Sequence, residues 1–377
     1  MSNAPIFIDL TELTNNPVRT GIQRVEREIL RRWPGPRPLV PCRFDTEKSD
    51  FYTLPDAVVE VLTGHENQST EHERERLLPH VQNGSRISTR DLKAGLHNPE
   101  LFYDSRRAGA YKDLCRGNAS VSWLVYDFLP YLHPQYFEPR GTAHRMHYVR
   151  ALREIPRAAF ISEATRRDYT HRVIRDVGRA GPAIPLGGDG IAMPKQTFVP
   201  RKRMFTYIGT IEPRKNVAAI LAAFEMLWQR HIDVGLTVIG HMESRSTREP
   251  AMLERLATEP RFSYLGHASD DTIRQTLKET RATLFVSLLE GFGLPPWESL
   301  AAGIPVIASA NLPSLDLLPD GGRIILDETS PETVAGAVLQ LLDDQFAERL
   351  WGEAARLRIP TWDGFVQGLA SWLHDTD

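Results

Sequence analysis

Residues 282–308 constrain the fold of this chain more than any other stretch. They run from an apolar Ala-Thr-Leu-Phe-Val-Ser-Leu-Leu through Glu290, Gly-Phe-Gly-Leu and two prolines to Gly303-Ile304-Pro305-Val306-Ile307-Ala308. Residues 282–289 form a short apolar run with β-branched and aromatic members, which favours a strand buried on both faces over an amphipathic helix. Pro296 suits the first position of a helix, and Gly303 with Pro305 stops that helix before a second buried strand. A strand, turn, helix and strand in this order belongs to a parallel α/β sheet.

In such sheets ligands bind outside the carboxyl ends of the strands, so Glu290 is expected to point at a cleft. The loop Gly291, Phe292, Gly293 and Leu294 lets the backbone approach a ligand closely, since two of its four residues lack a Cβ. Glu298 is expected in the first helical turn, beside the amide groups that make a helix N-terminus an anion site, with phosphate the anion. Taken singly, Glu298 reads as a favourable first-turn acid and Glu290 as a surface charge. The whole string favours a binding site.

At 377 residues the chain is about two domains long. The boundary is placed at residues 191/192, with a last segment at 359–377. A net charge of −3 gives no global reason to expect nucleic acid as a partner. Cys42 and Cys115 have neither metal nor redox spacing. The N-terminus lacks a secretory pattern, and no apolar run approaches the ~20 residues that cross a bilayer. A cytoplasmic protein is expected, soluble or peripheral on the inner face of the membrane.

Two further strand, turn and helix units frame the chain. Residues 6–10 read as a strand, and Gly21 opens a helix over 22–33 that turns Ile22, Val25, Ile29 and Leu30 inward and Arg24, Arg27, Arg31 and Arg32 outward. Residues 204–208 read as a strand followed by Gly-Thr-Ile-Glu-Pro-Arg214-Lys215-Asn and a helix from 217. Arginine offers a planar fork and lysine a point charge, the two usual ways to hold a phosphate. Between these units, 122–125 is strand-like and ends in Tyr126-Asp127. Asp127 is a cleft carboxylate or a cap on the next turn. Residues 45–100 carry few apolar periodicities and are expected as an irregular surface insertion. His144 and His147 are three apart on a predicted helix, with no third metal ligand in view. From Arg140 to Arg179, ten arginines stand against four acids, either a solvated surface or a face for an anionic membrane. His241 and His267 follow two more strands as loop or cleft residues.

Glu290 and Glu298 resemble the Glu-x7-Glu motif of retaining GT-B glycosyltransferases, glycosyltransferase family 4 in particular. Glu-Pro-Arg214-Lys215-Asn is similar to that family's donor-phosphate segment, with Thr210 where many members carry arginine. Asp127-Phe-Leu-Pro resembles another family segment, with Tyr126 in place of its histidine. The resemblance implies two Rossmann-like domains facing a cleft, with 1–191 on the acceptor side, 192–358 on the donor side, and a C-terminal helix crossing back. It implies sugar transfer from a nucleotide-diphosphate donor, GDP- or UDP-linked, with retention and with no metal or other cofactor. Glu290, Lys215 and Asp127 take the catalytic positions; Arg214, Lys215, Glu298, Gly21 and the loop 291–294 take the donor. The starts at Thr20 and Tyr126 look most like bacterial enzymes of O-antigen, capsule or exopolysaccharide assembly, with GDP-mannose the first donor to test and a glycan or lipid-linked acceptor. The alternatives are a non-catalytic nucleotide-sugar-binding partner and a GT-B epimerase. A nicotinamide-dependent enzyme would want Gly-x-Gly-x-x-Gly after the first strand, and none stands there.

Overall fold

The computed structural model describes residues 4–18, 21–64 and 70–375, with the side chains of 139–145 left aside. The chain divides into two compact units, Met1–Leu186 with Trp362–Asp377, and Gly187–Thr361.

The first unit is built on a seven-stranded sheet: β1 (Ile6–Asp9), β2 (Leu39–Asp45), β3 (Asp50–Thr53), β4 (Leu96–Asn98), β5 (Val121–Val125), β6 (Arg157–Phe160) and β7 (Ala180–Ala183). Their order is β3-β2-β1-β4-β5-β6-β7, parallel except for the β2/β3 pair. Every residue of β1 and β5 is buried, as strands covered on both faces require. The core closes around Trp123, Phe102, Tyr111 and Tyr148 in edge, stacked and tilted ring contacts. The helix Trp362–His374 belongs to this unit and buries Trp362, Phe365, Leu369 and Leu373.

Two expectations are corrected here. The helix Gly21–Arg32 buries Val25 and Ile29, but it also buries Glu26, Arg27 and Glu28. Arg27 is drawn inward by Glu73, 3.0 Å away, and by the Leu62 carbonyl at 2.7 Å. The segment 45–100 is no irregular insertion. Its described residues supply β3, three helices and β4, which lies at the middle of the sheet. β4 is only Leu-His-Asn; His97 Nδ1 bonds the Ser122 hydroxyl at 3.0 Å and Asn98 donates to the Glu100 carbonyl at 2.9 Å, while His97 Nε2 is buried without a hydrogen-bond partner among the described residues. No apolar periodicity announces such a strand.

The second unit has six parallel strands: β8 (Met204–Ile208), β9 (Gly235–Ile239), β10 (Phe262–Leu265), β11 (Thr280–Phe285), β12 (Val306–Ser309) and β13 (Arg323–Leu326), in the order β10-β9-β8-β11-β12-β13. From β8 the chain winds one way through β9 to β10, and from β11 the other way. Each sheet therefore has a switch point, β1/β4 in the first unit and β8/β11 in the second, where doubly wound sheets place their ligands.

Candidate functional site

At the β8/β11 switch point the two segments singled out by sequence meet. After β8 a single 3-10 turn, Pro213–Lys215, carries the two cations. Asn216 follows in the left-handed region (φ 55°), tied by its amide to Thr329 at 3.0 Å, and the helix Val217–Gln229 begins. After β11 the chain continues through Ser287 to Glu290. The strand ends at Phe285 rather than at Leu289, so Glu290 stands on a loop, and the Leu288 amide bonds the Arg214 carbonyl at 2.7 Å to lock the two segments together.

Arg214 Nη1 donates to Glu290 Oε2 at 2.9 Å and to the Leu289 carbonyl at 3.1 Å, while Lys215 Nζ donates to Glu290 Oε1. The other arm of Arg214 pairs with Glu212 at 2.6 Å, a buried carboxylate the sequence reading did not single out. Arg245 reaches the same cluster, 3.9 Å from Glu212 and 2.7 Å from Glu243. Burial alone would raise the Glu290 carboxyl, but Lys215, Arg214 and the Ser287 hydroxyl outweigh it and hold the group at about 2. Glu290 is an anion at neutral pH, able to accept hydrogen bonds and unable to serve as an acid. Burial raises Glu212 against the pull of Arg214 and Lys215. Three cations and three carboxylates leave the cluster neutral, so an anionic ligand is attracted only where a cation turns away from its carboxylate.

The helix after this loop starts earlier than expected. Phe292 is 4% exposed and packs edge-on against Trp297, so its side chain serves the core. Gly293 stands at φ 97°, its carbonyl bonded by the Ser314 hydroxyl at 3.0 Å, and caps a helix that begins at Leu294, two residues before Pro296. Pro295 and Pro296 occupy first-turn positions and have no N–H, which thins the amide set a phosphate would use. Glu298 therefore falls in the second turn and is 6% exposed.

Further along the same edge, β9 and β10 pair Ile239 with Leu265, and each continues into Gly-His. The exposed rings of His241 and His267 consequently stack, 6.2 Å apart and 8° from parallel. Gly240 lets this edge close on β8, since a Cβ there would lie 2.0 Å from the Gly209 carbonyl oxygen.

Asp127 and Gly21 belong to the first unit. Asp127 Oδ1 accepts the Leu129 amide at 3.0 Å, the turn-capping geometry, and Gly21 is the exposed first residue of its helix. Thr20 lies outside the described residues, as do the side chains of Arg140, His144 and Arg145. Of the basic stretch, Arg166, Arg172 and Arg179 pair with Glu163, Asp168 and Asp176. Among the described residues no group of three or more His, Cys, Asp or Glu is arranged to hold a metal ion, and no helix is long and apolar enough to cross a membrane.

Residues 191–358 match the family described as Glycosyl transferases group 1. The chain is 30% identical over 153 residues to O-antigen chain mannosyltransferase B of Escherichia coli, covering 40% of this chain and 39% of that one. It is 27% identical over 336 residues to the serotype-specific mannosyltransferase WbdA of Escherichia coli, covering 80% of this chain and 38% of the relative. The aligned stretches thus span about two fifths of these relatives' own lengths. Among solved structures it resembles sucrose-phosphate synthase from Thermosynechococcus elongatus (TM-score 0.67, 15% identity, 98% of both chains) and Anabaena HepE in complex with UDP and glucose (TM-score 0.66, 13% identity, 99% and 100%). Both support the same α/β fold of two Rossmann-like units.

Proposed function

We propose, taking residues 191–358 as the group 1 glycosyl transferase domain they match, that this chain moves a sugar from a nucleotide-diphosphate donor to a hydroxyl of a glycan or lipid-linked acceptor in bacterial surface polysaccharide synthesis. Mannose from GDP-mannose is the first donor to test, because the relatives above are named mannosyltransferases. The transfer retains configuration and needs no metal ion. The observation that carries the reading is the closure of Arg214 and Lys215 on Glu290 at the switch point.

A diphosphate arriving there takes over the two cations and releases Glu290 to accept hydrogen bonds from the sugar. As the bond between the anomeric carbon and the diphosphate oxygen breaks, the charge grows on the leaving diphosphate, where Lys215 and the Arg214 fork stabilise it. The acceptor oxygen bonds the anomeric carbon on the face the diphosphate leaves, and its proton passes to the departing phosphate oxygen. The stacked pair His241 and His267 gives the base a flat surface. It lies one and two strands from β8, roughly 5 and 10 Å, the span of a nucleotide between phosphate and base. Peripheral contact with an anionic membrane through the exposed Arg150, Arg167 and Arg175 belongs to the same proposal, and vesicle sedimentation tests it.

The test is a thermal-shift screen of GDP, UDP, dTDP and ADP and their sugars, with and without EDTA, followed by NMR of the anomeric configuration in the product. A ligand at 100 times its Kd stabilises by about 2.7 kcal/mol. One nucleotide raising the melting point regardless of EDTA, with a retained product, supports the reading. No shift with any nucleotide, or an inverted product, overturns it.

A further inference from the structure

The switch point of the first unit, at the carboxyl ends of β1 and β4 and beside β5, holds a dense polar network. Arg107 Nε donates to Asp9 Oδ2 at 2.8 Å, and its Nη2 donates to Glu100 Oε2 at 2.5 Å and Asn98 Oδ1 at 3.2 Å. Tyr111 donates to Asp9 Oδ2 at 2.7 Å. Glu100 also accepts the Glu12 and Leu13 amides, both at 2.9 Å.

Glu26 stands apart from this satisfaction. It enters from the helix Gly21–Arg32, is fully buried, and neither carboxyl oxygen has a hydrogen-bond partner among the described residues. The Tyr126 hydroxyl, at the end of β5, is likewise buried and unpartnered. The two groups are in electrostatic reach of each other: burial, then the neighbouring Glu26, Tyr148 and Glu100, push the Tyr126 phenol well above its usual range. Buried polar atoms left unpaired are uncommon and costly, and two neighbours of this kind ask for an occupant.

The chemistry of the pair defines that occupant. Glu100 spends its oxygens on two amides and a guanidinium, whereas Glu26 has no bonded partner among the described residues, and burial, then the neighbouring Glu100, push its carboxyl well above the usual range against the pull of Arg107 and Arg27. A protonated carboxyl and a phenol each offer one O–H donor together with acceptor lone pairs. That set suits a neutral hydroxyl, itself donor and acceptor, and suits neither a phosphate nor a cation. The network borders solvent at Glu12, whose side chain is 31% exposed, and at half-buried Asp127 beside Tyr126.

We propose that Glu26 and Tyr126 form a subsite of the first unit that recognises one hydroxyl of the acceptor sugar, an inference that rests on the glycosyl-transfer reading above. The full chain is tested as wild type, Glu26→Leu, Glu26→Gln and Tyr126→Phe, with initial rates against acceptor and with donor hydrolysis by water as the control. Glu26→Leu and Tyr126→Phe are expected to raise the acceptor KM tenfold or more, with donor KM and hydrolysis unchanged. Glu26→Gln, which still donates and accepts, restores part of the affinity. Glu26→Leu is also expected to raise the melting temperature, since a group kept for binding is released from an unfavourable burial. An unchanged acceptor KM with a lowered melting temperature overturns the proposal and makes the pair a structural element bridged by water. If no nucleotide sugar is hydrolysed or transferred by the wild type, the transfer reading fails instead. Saturation-transfer NMR with an oligomannoside and no donor then decides the subsite: binding lost in Glu26→Leu keeps it, and no binding to the wild type removes it.

Discussion

Replacing Glu290 by glutamine should tighten the binding of a nucleoside diphosphate while it slows transfer. In the free protein Glu290 occupies both cations, with Arg214 at 2.9 Å and Lys215 bonded to the other oxygen. A diphosphate on the same two cations stands two charge-assisted bonds from the Glu290 carboxylate, roughly 6 Å. At an effective dielectric of about 20 the repulsion is roughly 3 kcal/mol per unit charge. Side-chain exposures of 17% for Arg214 and 15% for Lys215 admit solvent, and roughly half of that survives, about tenfold in Kd. Titration calorimetry of Glu290→Gln should therefore show GDP, or whichever diphosphate the screen selects, binding about tenfold tighter. The intact sugar nucleotide should gain less, because it also loses the sugar's acceptor, and kcat should fall. A GDP Kd that stays the same or weakens in Glu290→Gln would refute the reasoning, since it would mean that Glu290 does not compete for the phosphate cations.

Lys215→Ala should forfeit a charge-assisted contact of about 1.5–3 kcal/mol, lowering kcat/KM roughly 10- to 100-fold in steady-state assays; an unchanged value removes Lys215 from the transition state. His241→Ala or His267→Ala should weaken GDP binding while leaving pyrophosphate binding intact, read by competition titration. Acidification should act on the second unit: Glu290 is held at about 2 against a usual 4.5, so its contribution of roughly 3 kcal/mol is full above about pH 4.5 and lost as the pH falls through about 2. The first unit should respond with the opposite sign. Burial raises Glu26, and lifts Glu100 to about 8 against the pull of Arg107, so their contribution is full below about pH 4.5 and lost as the pH rises, for Glu100 through about 8. Hydrogen exchange followed separately in β5 and β11 across pH 3–9 checks both signs.

The second unit was legible because its signals are local. Buried parallel strands read as apolar runs, glycine and proline mark where they end, and charges just past those ends fall at the ligand edge. Thus Arg214 and Lys215, about 75 residues from Glu290 in sequence, lie past the end of a strand adjacent to its own and are within hydrogen-bond distance of it. The departure there is also local: the helix starts at Leu294, two residues before Pro296, which puts Glu298 in the second turn and leaves two first-turn positions without an N–H. In the first unit the failures have a different source. An amphipathic pattern assigns charged residues outward unless a partner waits inside, and a partner far along the chain is invisible to it. Arg27 is buried because Glu73, 46 residues on, reaches it, and β4 is central with His97 Nδ1 bonded to Ser122 and Asn98 bonded to the Glu100 carbonyl and Arg107. Glu26 sits one residue from Arg27 on the same helix and is as deeply buried, yet among the described residues no side chain or backbone group answers it. Long-range pairing accounts for the first residue and leaves the second over, and a buried acid that folding alone does not account for is where a bound hydroxyl supplies the missing partner.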